Sequence, residues 1–364
     1  MTGVALIGCA HRPHAWSYAR ALAASSTARL VGVHDPFPEI GEPIAADLEV
    51  AYHRDATELI ASPGVDAVVV CSPTVQHRAL VERAAALGRH VLCEKPLATT
   101  IADAQAMVTA CQQAGVQLHT AFVSRFHPLV ERVRAALRDG QIGEPLAVVG
   151  ANRGRPPLPP EYPPWITDRE QSGGGALMDH SVHLTDVVRH LSGQEVHQVS
   201  AEVGAQLANC GIDDVALLSL VFSGGLVASL DPSWSVPRGN PWDYDFSLRV
   251  LGTTGSVDIN DLAESLQLVS TRAEGGLRLV PFGTDVDQQM IEAFVASVRA
   301  GELLDPCATG IDGLRALEVA LAGYASAAAR QPVHLPQTTG SSVEQQRRQR
   351  AFGQHQPHPT GTFS

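Results

Sequence analysis

A surplus of positive charge is missing from this 364-residue chain: 26 Lys and Arg stand against 38 Asp and Glu, a formal net charge of -12. Such a balance gives no general attraction to nucleic acid or to an anionic membrane surface, and neither is expected as a partner. No apolar run approaches the roughly 20 residues that span a bilayer. The first apolar strand starts near residue 3, which leaves no room for a basic, apolar, cleavable leader. The six cysteines, Cys9, Cys71, Cys93, Cys111, Cys210 and Cys307, contain no CxxC spacing. They read as free thiols of a reducing compartment rather than as a disulfide frame or a zinc site. No internal repeat is present. The expectation that remains is a cytoplasmic protein with a small-molecule partner. Its composition is ordinary, 45% hydrophobic and 18% charged, and its length suffices for two domains with a core each.

Up to residue 123, short β-branched runs alternate with alanine-rich helical periods. The runs are Val4 to Gly8, Leu30 to Asp35, Asp66 to Cys71, His90 to Cys93 and Val116 to Phe122; the helical periods include Ala15 to Ala24, Val75 to Leu87 and Ile101 to Ala114. Runs that are apolar throughout belong to parallel strands covered by helices on both faces, so residues 1–123 are expected to form a doubly wound α/β domain. From residue 124 the pattern changes. A helix over Pro128 to Arg138 stops at Asp139-Gly140. Alternating segments follow at Pro145 to Asn152, Val196 to Gln206, Asp214 to Phe222, Leu226 to Trp234, Asp243 to Leu251, Ser256 to Ile259 and Ser265 to Ser270. Their glycine-containing turns predict, for residues 124–336, an α+β domain with a large, mostly antiparallel open sheet. One helix follows Gly173-Gly174-Gly175, and helices over Val286 to Ala300 and Gly310 to Ala329 close the fold. Residues 337–364, rich in Gln, Arg, Thr, Gly and Pro, read as a disordered tail.

Three stretches carry chemistry. The first strand runs into "VALIGCAHRPHAWSY", where a phosphate-cradling Gly-x-Gly-x-x-Gly turn is replaced by Gly8-Cys9-Ala10-His11-Arg12-Pro13. Gly8 still permits the tight turn, and the helix after it aims its amides and the positive end of its dipole there. Asp35 ends the second strand 27 residues after Gly8. A carboxylate at that place hydrogen-bonds an adenosine ribose and repels a 2′-phosphate. Two charges at about 4 Å are worth at most a few kcal/mol at an effective dielectric near 20. Pro36 and Phe37 follow, with no arginine to accept that phosphate, so NAD is expected in preference to NADP.

The second stretch is Cys93-Glu94-Lys95-Pro96-Leu97-Ala98. It sets a lysine at the carboxyl end of a parallel strand, the ligand side of such sheets; a solvated loop charge is the alternative. The third is "SGGGALMDHSVHLTD" from Ser172 to Asp186. Asp179 and His183 are four apart and share a helix face. A carboxylate beside an imidazole raises its basicity and can fix its tautomer, as a general base for an alcohol proton requires. A helix cap plus a core histidine is the competing reading. Asp179, His180 and His183, with His11 and His14, have ligand chemistry, but nothing else in the chain supplies a matching ligand set, so no metal is expected.

Together these segments resemble the glucose-fructose oxidoreductase, inositol dehydrogenase and rhizopine catabolism (Gfo/Idh/MocA) family, from residue 3 to about residue 330. The marks are Glu94-Lys95-Pro96, Ser72-Pro73-Thr74 with His77, Arg125-Phe126-His127-Pro128, Ile142-Gly143-Glu144, and Gly173-Gly174-Gly175 with Asp179 and His183. The resemblance implies a Rossmann domain and a second domain whose open sheet commonly joins subunits, giving a homodimer or homotetramer. It implies hydride transfer between a nicotinamide and a carbohydrate-like ring carbon. Carried onto this chain, it makes Lys95 the group that holds and polarises the reacting oxygen, His183 the proton acceptor and Asp179 the group that orients it. Glu94, Lys95 and Pro96 would shape the cofactor edge. Ser72, Pro73, Thr74 and His77 would line the dinucleotide beside Gly8, Ala10, His11, Arg12 and Asp35, and Arg125 would stand on the substrate side. A base and a fixed cation at one oxygen lower the barrier together, because the alcohol loses its proton as its hydride leaves. An NAD-retaining lyase, glycosidase or epimerase working through transient oxidation, and a non-catalytic ligand-binding member, are the alternatives.

The chain departs from the family pattern in three places. In the turn, Pro13 removes an amide donor but suits a helix first turn, and Arg12 is expected to replace the lost contacts with a charge on the pyrophosphate. Ser181 stands where glycine is common. The proline-rich segment from Arg153 to Trp165 is stiff; Arg153, Tyr162 and Trp165 are candidates for the substrate mouth, with a plain linker as the alternative.

Overall fold

A computed structural model of the chain describes residues 1–336 except 241, 261–264, 270–276 and 282, and leaves the side chains of 265–269 and 277–281 aside. The expected tail over 337–364 and the turn at 274–276 lie outside the described residues.

The first half is built from β1 (Thr2–Ile7), α1 (Arg12–Ala24), β2 (Ala28–His34), α2 (Pro38–Asp47), β3 (Ala51–His53), α3 (Ala56–Ala61), β4 (Ala67–Val70), α4 (His77–Ala86), β5 (His90–Cys93), α5 (Ile101–Ala114) and β6 (Leu118–Thr120). Every residue of β1 and β4 is buried, as helices on both faces of a parallel sheet require. Their order is β6-β5-β4-β1-β2-β3, and every pairing among these six is parallel. The chain direction across the sheet reverses between β1 and β4. The crevice beyond the strand ends at that reversal is where such sheets take ligands.

The second half contains α6 (Pro128–Arg138), β7 (Pro145–Gly154), α7 (Arg169–Ser172), α8 (Ala176–Ser192), β8 (Val196–Gly204), β9 (Val215–Phe222), β10 (Val227–Asp231), β11 (Tyr244–Gly252), β12 (Ser256–Asn260), β13 (Ser265–Val269), β14 (Leu277–Pro281), α9 (Val286–Ala300), β15 (Ala308–Thr309), α10 (Gly310–Ala329) and β16 (Val333–His334). Seven strands form a sheet in the order β12-β11-β7-β10-β9-β8-β16. Only β7 and β10 pair in parallel among the recorded pairings of this sheet. Its strands alternate. Ala216, Leu218, Leu220 and Phe222 of β9 are buried while Leu217 between them is exposed, because α8 and α10 cover one face and leave the other open.

Three features differ from the sequence expectation. The strands β3, β15 and β16, of two or three residues each, are too short to show a period. The division at residue 123 is not a clean division in space, since α9 packs on α1 and β15 extends the first sheet, pairing antiparallel with β6. Helix α8 is buried on nearly all sides, so its apolar pattern is continuous rather than one-sided. No described helix is long and apolar enough to cross a membrane.

Candidate active site

The turn after β1 is held by backbone geometry. Gly8 has φ +78°, and a Cβ there would come within 2.8 Å of the Ser72 backbone. Left-handed backbone costs a residue with a side chain about 1–2 kcal/mol before any clash. Gly8→Ala is therefore expected to lower unfolding stability by at least about that amount in a urea titration and to weaken dinucleotide binding. The Asp35 carboxylate ties the turn to the end of β2, accepting from the Cys9 amide at 2.8 Å and the Phe37 amide at 2.9 Å. The His11 amide donates to the Cys71 carbonyl at 3.3 Å. Pro13 lies in the first turn of α1, so only the amides of Arg12 and His14 remain as donors that helix geometry leaves open. The exposed Arg12 side chain makes no hydrogen bond or ion pair among the described residues.

Beyond the strand ends, Phe37 and Val75 rank among the exposed large apolar side chains. They follow β2 and β4, the two neighbours of β1, and offer apolar cover for a purine. Asp35 itself is 2% exposed, with both carboxylate oxygens on backbone amides; with that turn, the helix start and the exposed Phe37 and Val75, the residues present fit a dinucleotide. Ser72 and Thr74 are buried at the end of β4, and Pro73 begins the turn between them. His77 is a correction to the expected lining: it is 1% exposed. Its ring bridges the Ser72 carbonyl at 3.1 Å and the Leu97 carbonyl at 3.2 Å, which fastens the two loops together and leaves no atom for the dinucleotide.

Helix α8 begins where close approach demands glycine. A Cβ on Gly175 would lie 1.9 Å from the Asp213 carbonyl oxygen, and one on Gly174 would lie 2.2 Å from the Tyr324 hydroxyl. The Asp213 carboxylate then accepts from the amides of Gly175 at 3.1 Å and Leu177 at 2.9 Å, fixing the start of the helix and with it Asp179 one turn in. Across from it, Lys95 leaves the end of β5 and donates its ammonium to the Asp179 carboxylate and to the Asp179 carbonyl at 3.3 Å. The second Asp179 oxygen accepts from the Trp234 indole at 3.1 Å and lies 3.2 Å from His180 Nε2. Burial pushes the Asp179 carboxyl up, but Lys95 and His180 outweigh it and hold the group well below the usual carboxylate range.

The expected pairing of Asp179 with His183 is not made. The two share a face and line one cavity, but the carboxylate is taken by Lys95, Trp234 and His180. The His183 ring stands edge-on to Phe122 at 6.0 Å, with its buried Nδ1 unpartnered. Burial, then the Lys95 charge and His180, push its pKa well below 6.5. What results is a neutral imidazole beside a fixed ammonium, both facing a cavity of about 460 Å³.

One wall of that cavity comes from the altered turn: His11, Pro13 and His14, with Tyr18 behind them. His14 Nδ1 lies 2.9 Å from Glu94 Oε1, and Glu94 Oε2 accepts from the Lys95 amide at 3.0 Å. The His11 and His14 ring centroids lie 3.8 Å apart, with the planes tilted by 36°. Trp165 reaches across from the proline-rich segment, edge-on to His11 at 6.2 Å, and its indole donates to the Ala10 carbonyl at 3.2 Å. Pro96 is buried beside Lys95, and the Lys95-Pro96 peptide is cis.

The opposite wall carries Asn152, Arg155, Tyr162, Tyr244 and Phe246. Tyr162 and Tyr244 share a hydrogen bond, and Arg155 is paired with Asp243 at 2.6 Å. Two expected substrate residues are corrected here. Arg153 is one residue out of step with the cavity-facing Asn152, so it points to the open face of the sheet and pairs with Asp231 and Asp245 at 2.6 Å each. Arg125 is 3% exposed; its guanidinium holds Asp186 at 2.6 and 2.7 Å and approaches Asp312 at 3.4 Å. Sequence reasoning did not single out Tyr18, Asn152, Arg155, Trp234, Tyr244, Phe246 or Asp287; Asn152, Tyr244 and Phe246 were accessible from strand parity, and the others had no local signal.

A doubly wound sheet whose ligand edge opens on a lysine, a carboxylate and a neutral histidine defines a dinucleotide-dependent oxidoreductase. Residues 2–122 match the oxidoreductase family with NAD-binding Rossmann fold, and residues 130–258 match the GFO/IDH/MocA C-terminal domain. Myo-inositol 2-dehydrogenase of Thermotoga maritima is 31% identical over 302 residues, covering 80% of this chain and 86% of that protein. The 2,7-anhydro-N-acetylneuraminate hydratase of Escherichia coli is 33% identical over 257 residues, 69% of this chain and 66% of that one. Among solved structures, aldose-aldose oxidoreductase from Caulobacter crescentus, complexed with glycerol, superposes with a TM-score of 0.76 at 26% identity, over 92% of this chain and 99% of that one. The chain belongs to the Gfo/Idh/MocA oxidoreductase family.

Proposed function

We propose that this enzyme moves a hydride between NAD and a secondary alcohol or ketone carbon of a sugar, cyclitol or related polyol. The observation that carries the reading is the juxtaposition of the Lys95 ammonium and the unpartnered His183 ring on one cavity at the switch point of the first sheet. In alcohol oxidation Lys95 holds the substrate oxygen and stabilises its developing negative charge, and His183 accepts the hydroxyl proton. Asp179, braced by Trp234 and His180, fixes the ammonium in place. Bound NAD supplies the hydride acceptor. Asn152, Tyr162 and Tyr244 offer hydroxyl and amide partners to a ring. Arg155 is already neutralised by Asp243, which favours an uncharged substrate. Asp35 selects NAD over NADP.

The test is to incubate the purified enzyme with NAD and a panel of cyclitols and sugars and to follow NADH by absorbance; formation of NADH with at least one neutral polyol is expected. The second reading, transient oxidation on a retained cofactor, is favoured by the similarity to a hydratase. It predicts product without net NADH. Because His183 is held neutral, its demand for the unprotonated form is met above its lowered pKa, and rate is lost only as pH falls through that value. The kcat/KM for oxidation is therefore expected to show no acid limb from His183 between about pH 6.5 and 8, where an ordinary histidine would give one near its lower end.

Residues 1–123 and 124–336 serve as the cofactor and substrate domains in this reading. The open face of the second sheet exposes Val149, Leu217, Val227 and Leu251, which supports a homodimer or homotetramer joined there. The six free cysteines, five of them buried, support a cytoplasmic setting.

A further inference from the structure

The altered turn has lost donors. One of its amides is spent on Cys71 and a second is absent at Pro13, while Ala10 keeps its amide and adds only a methyl group. Beside it stands a side-chain assembly: His14 Nδ1 lies 2.9 Å from Glu94, its ring is tilted against that of His11 at 3.8 Å, and Tyr18 is next to it at 5.8 Å. His11, His14, Tyr18 and Asp287 all line the cavity that also holds Lys95. Glu94 is 3% exposed and grips the Lys95 amide with its other oxygen. An anionic pyrophosphate brought to this turn meets two carboxylates, Glu94 and Asp287, and the cations beside them are Lys95, the exposed Arg12 and, when protonated, His14.

We propose that His14 is a cofactor-binding residue of this chain, its imidazolium on Glu94 adding positive charge beside the Arg12 and His14 amides that the helix leaves open. The inference rests on the dinucleotide reading given above. Every element packed around the ring contributes: Glu94 and Lys95 from the end of β5, His11 and Tyr18 from α1 and its cap, and Asp287 from the start of α9. Burial alone would strip the proton from His14, but the Glu94 carboxylate outweighs burial and raises its pKa above 6.5. His11 is driven the other way, to about 3, by burial and by His14 itself. Of the two rings, the one that touches Glu94 is therefore the first to take up a proton as pH falls. The sign follows: the cation is complete at low pH and is lost as pH rises through the raised pKa of His14, so affinity for the dinucleotide falls in that direction. Bound anion and bound proton stabilise each other, as linkage requires.

The experiment is a fluorescence titration with NADH at steps from about pH 6 to about pH 9 on cofactor-free wild-type protein, His14→Gln and His14→Lys. Glutamine keeps a hydrogen bond to Glu94 without the charge, and lysine keeps a charge that does not titrate in this range. The expected result is wild-type affinity that weakens about tenfold across the series, the worth of about 1.4 kcal/mol, a flat and weak profile for His14→Gln, and a flat, tighter profile for His14→Lys. A wild-type profile without slope, or a His14→Gln profile that superposes on the wild type, overturns the role of His14 while leaving the enzyme a dinucleotide binder. Absence of NADH binding by all three proteins at every pH overturns the dinucleotide reading itself.

Discussion

Lys95→Met is expected to lower kcat for polyol oxidation by about a thousandfold while leaving the dissociation constant for NADH within a few fold. Methionine keeps the length and apolar body of the side chain but removes the ammonium, the one fixed cation that faces both Asp179 and the cavity floor. Loss of a single preorganised donor to a developing oxyanion costs about 100- to 1,000-fold in kcat, and a full charge on a buried carboxylate partner belongs at the upper end. The loop after β5 keeps its ties from Glu94 to His14 and from the Leu97 carbonyl to His77, so the cofactor side is preserved. Initial-rate kinetics on the polyol that gives the highest rate, paired with an NADH titration, check this. Unchanged kcat would show that the reacting oxygen is held elsewhere.

Arg125→Met is expected to act on stability instead. The guanidinium links the segment after β6 to α8 through Asp186 and to the start of α10 through Asp312. Asp186 is 0% exposed, and without Arg125 its remaining cationic neighbour is Arg189 at 4.0 Å. Removing one partner of a buried ion pair costs about 3–5 kcal/mol, because the abandoned charge stays out of water. A fall in Tm of roughly 5 to 10 °C follows for a chain of this size. Calorimetry measures it, and kcat at a temperature where the variant is folded should stay within a few fold of the wild type. A large loss of kcat without a loss of Tm would return Arg125 to the substrate side, where the motif alone had placed it.

The contrast between these two residues shows what was legible in the sequence. Helices α9 and α10 were expected over Val286 to Ala300 and Gly310 to Ala329, and the observed limits coincide with those. Lys95, Asp179 and His183 were readable because each carries a local signature, a strand end in one case and a four-residue helical spacing in the other. What the spacing could not show is which neighbour captures the carboxylate. Asp179 turns to Lys95 and Trp234, 84 and 55 residues away, and leaves His183 bare. Arg125 failed for the same reason, since its partner Asp186 lies 61 residues on. Arg153 failed for a local and avoidable one: strand parity makes Asn152 the inward residue, and a one-residue step puts its neighbour on the opposite face. The turn at His11 to His14 looked damaged when judged by glycines. No local spacing could show that His14 meets Glu94, 80 residues away.

The measurement that tests the account most directly is a fluorescence titration of cofactor-free enzyme with NADH and, separately, NADPH at one pH near neutrality. Saturable binding of NADH, with NADPH weaker as the proposed role of Asp35 requires, is the predicted result. Failure of both to bind, with no dinucleotide released on denaturing the purified protein, would contradict the assignment of this site to nicotinamide-dependent hydride transfer.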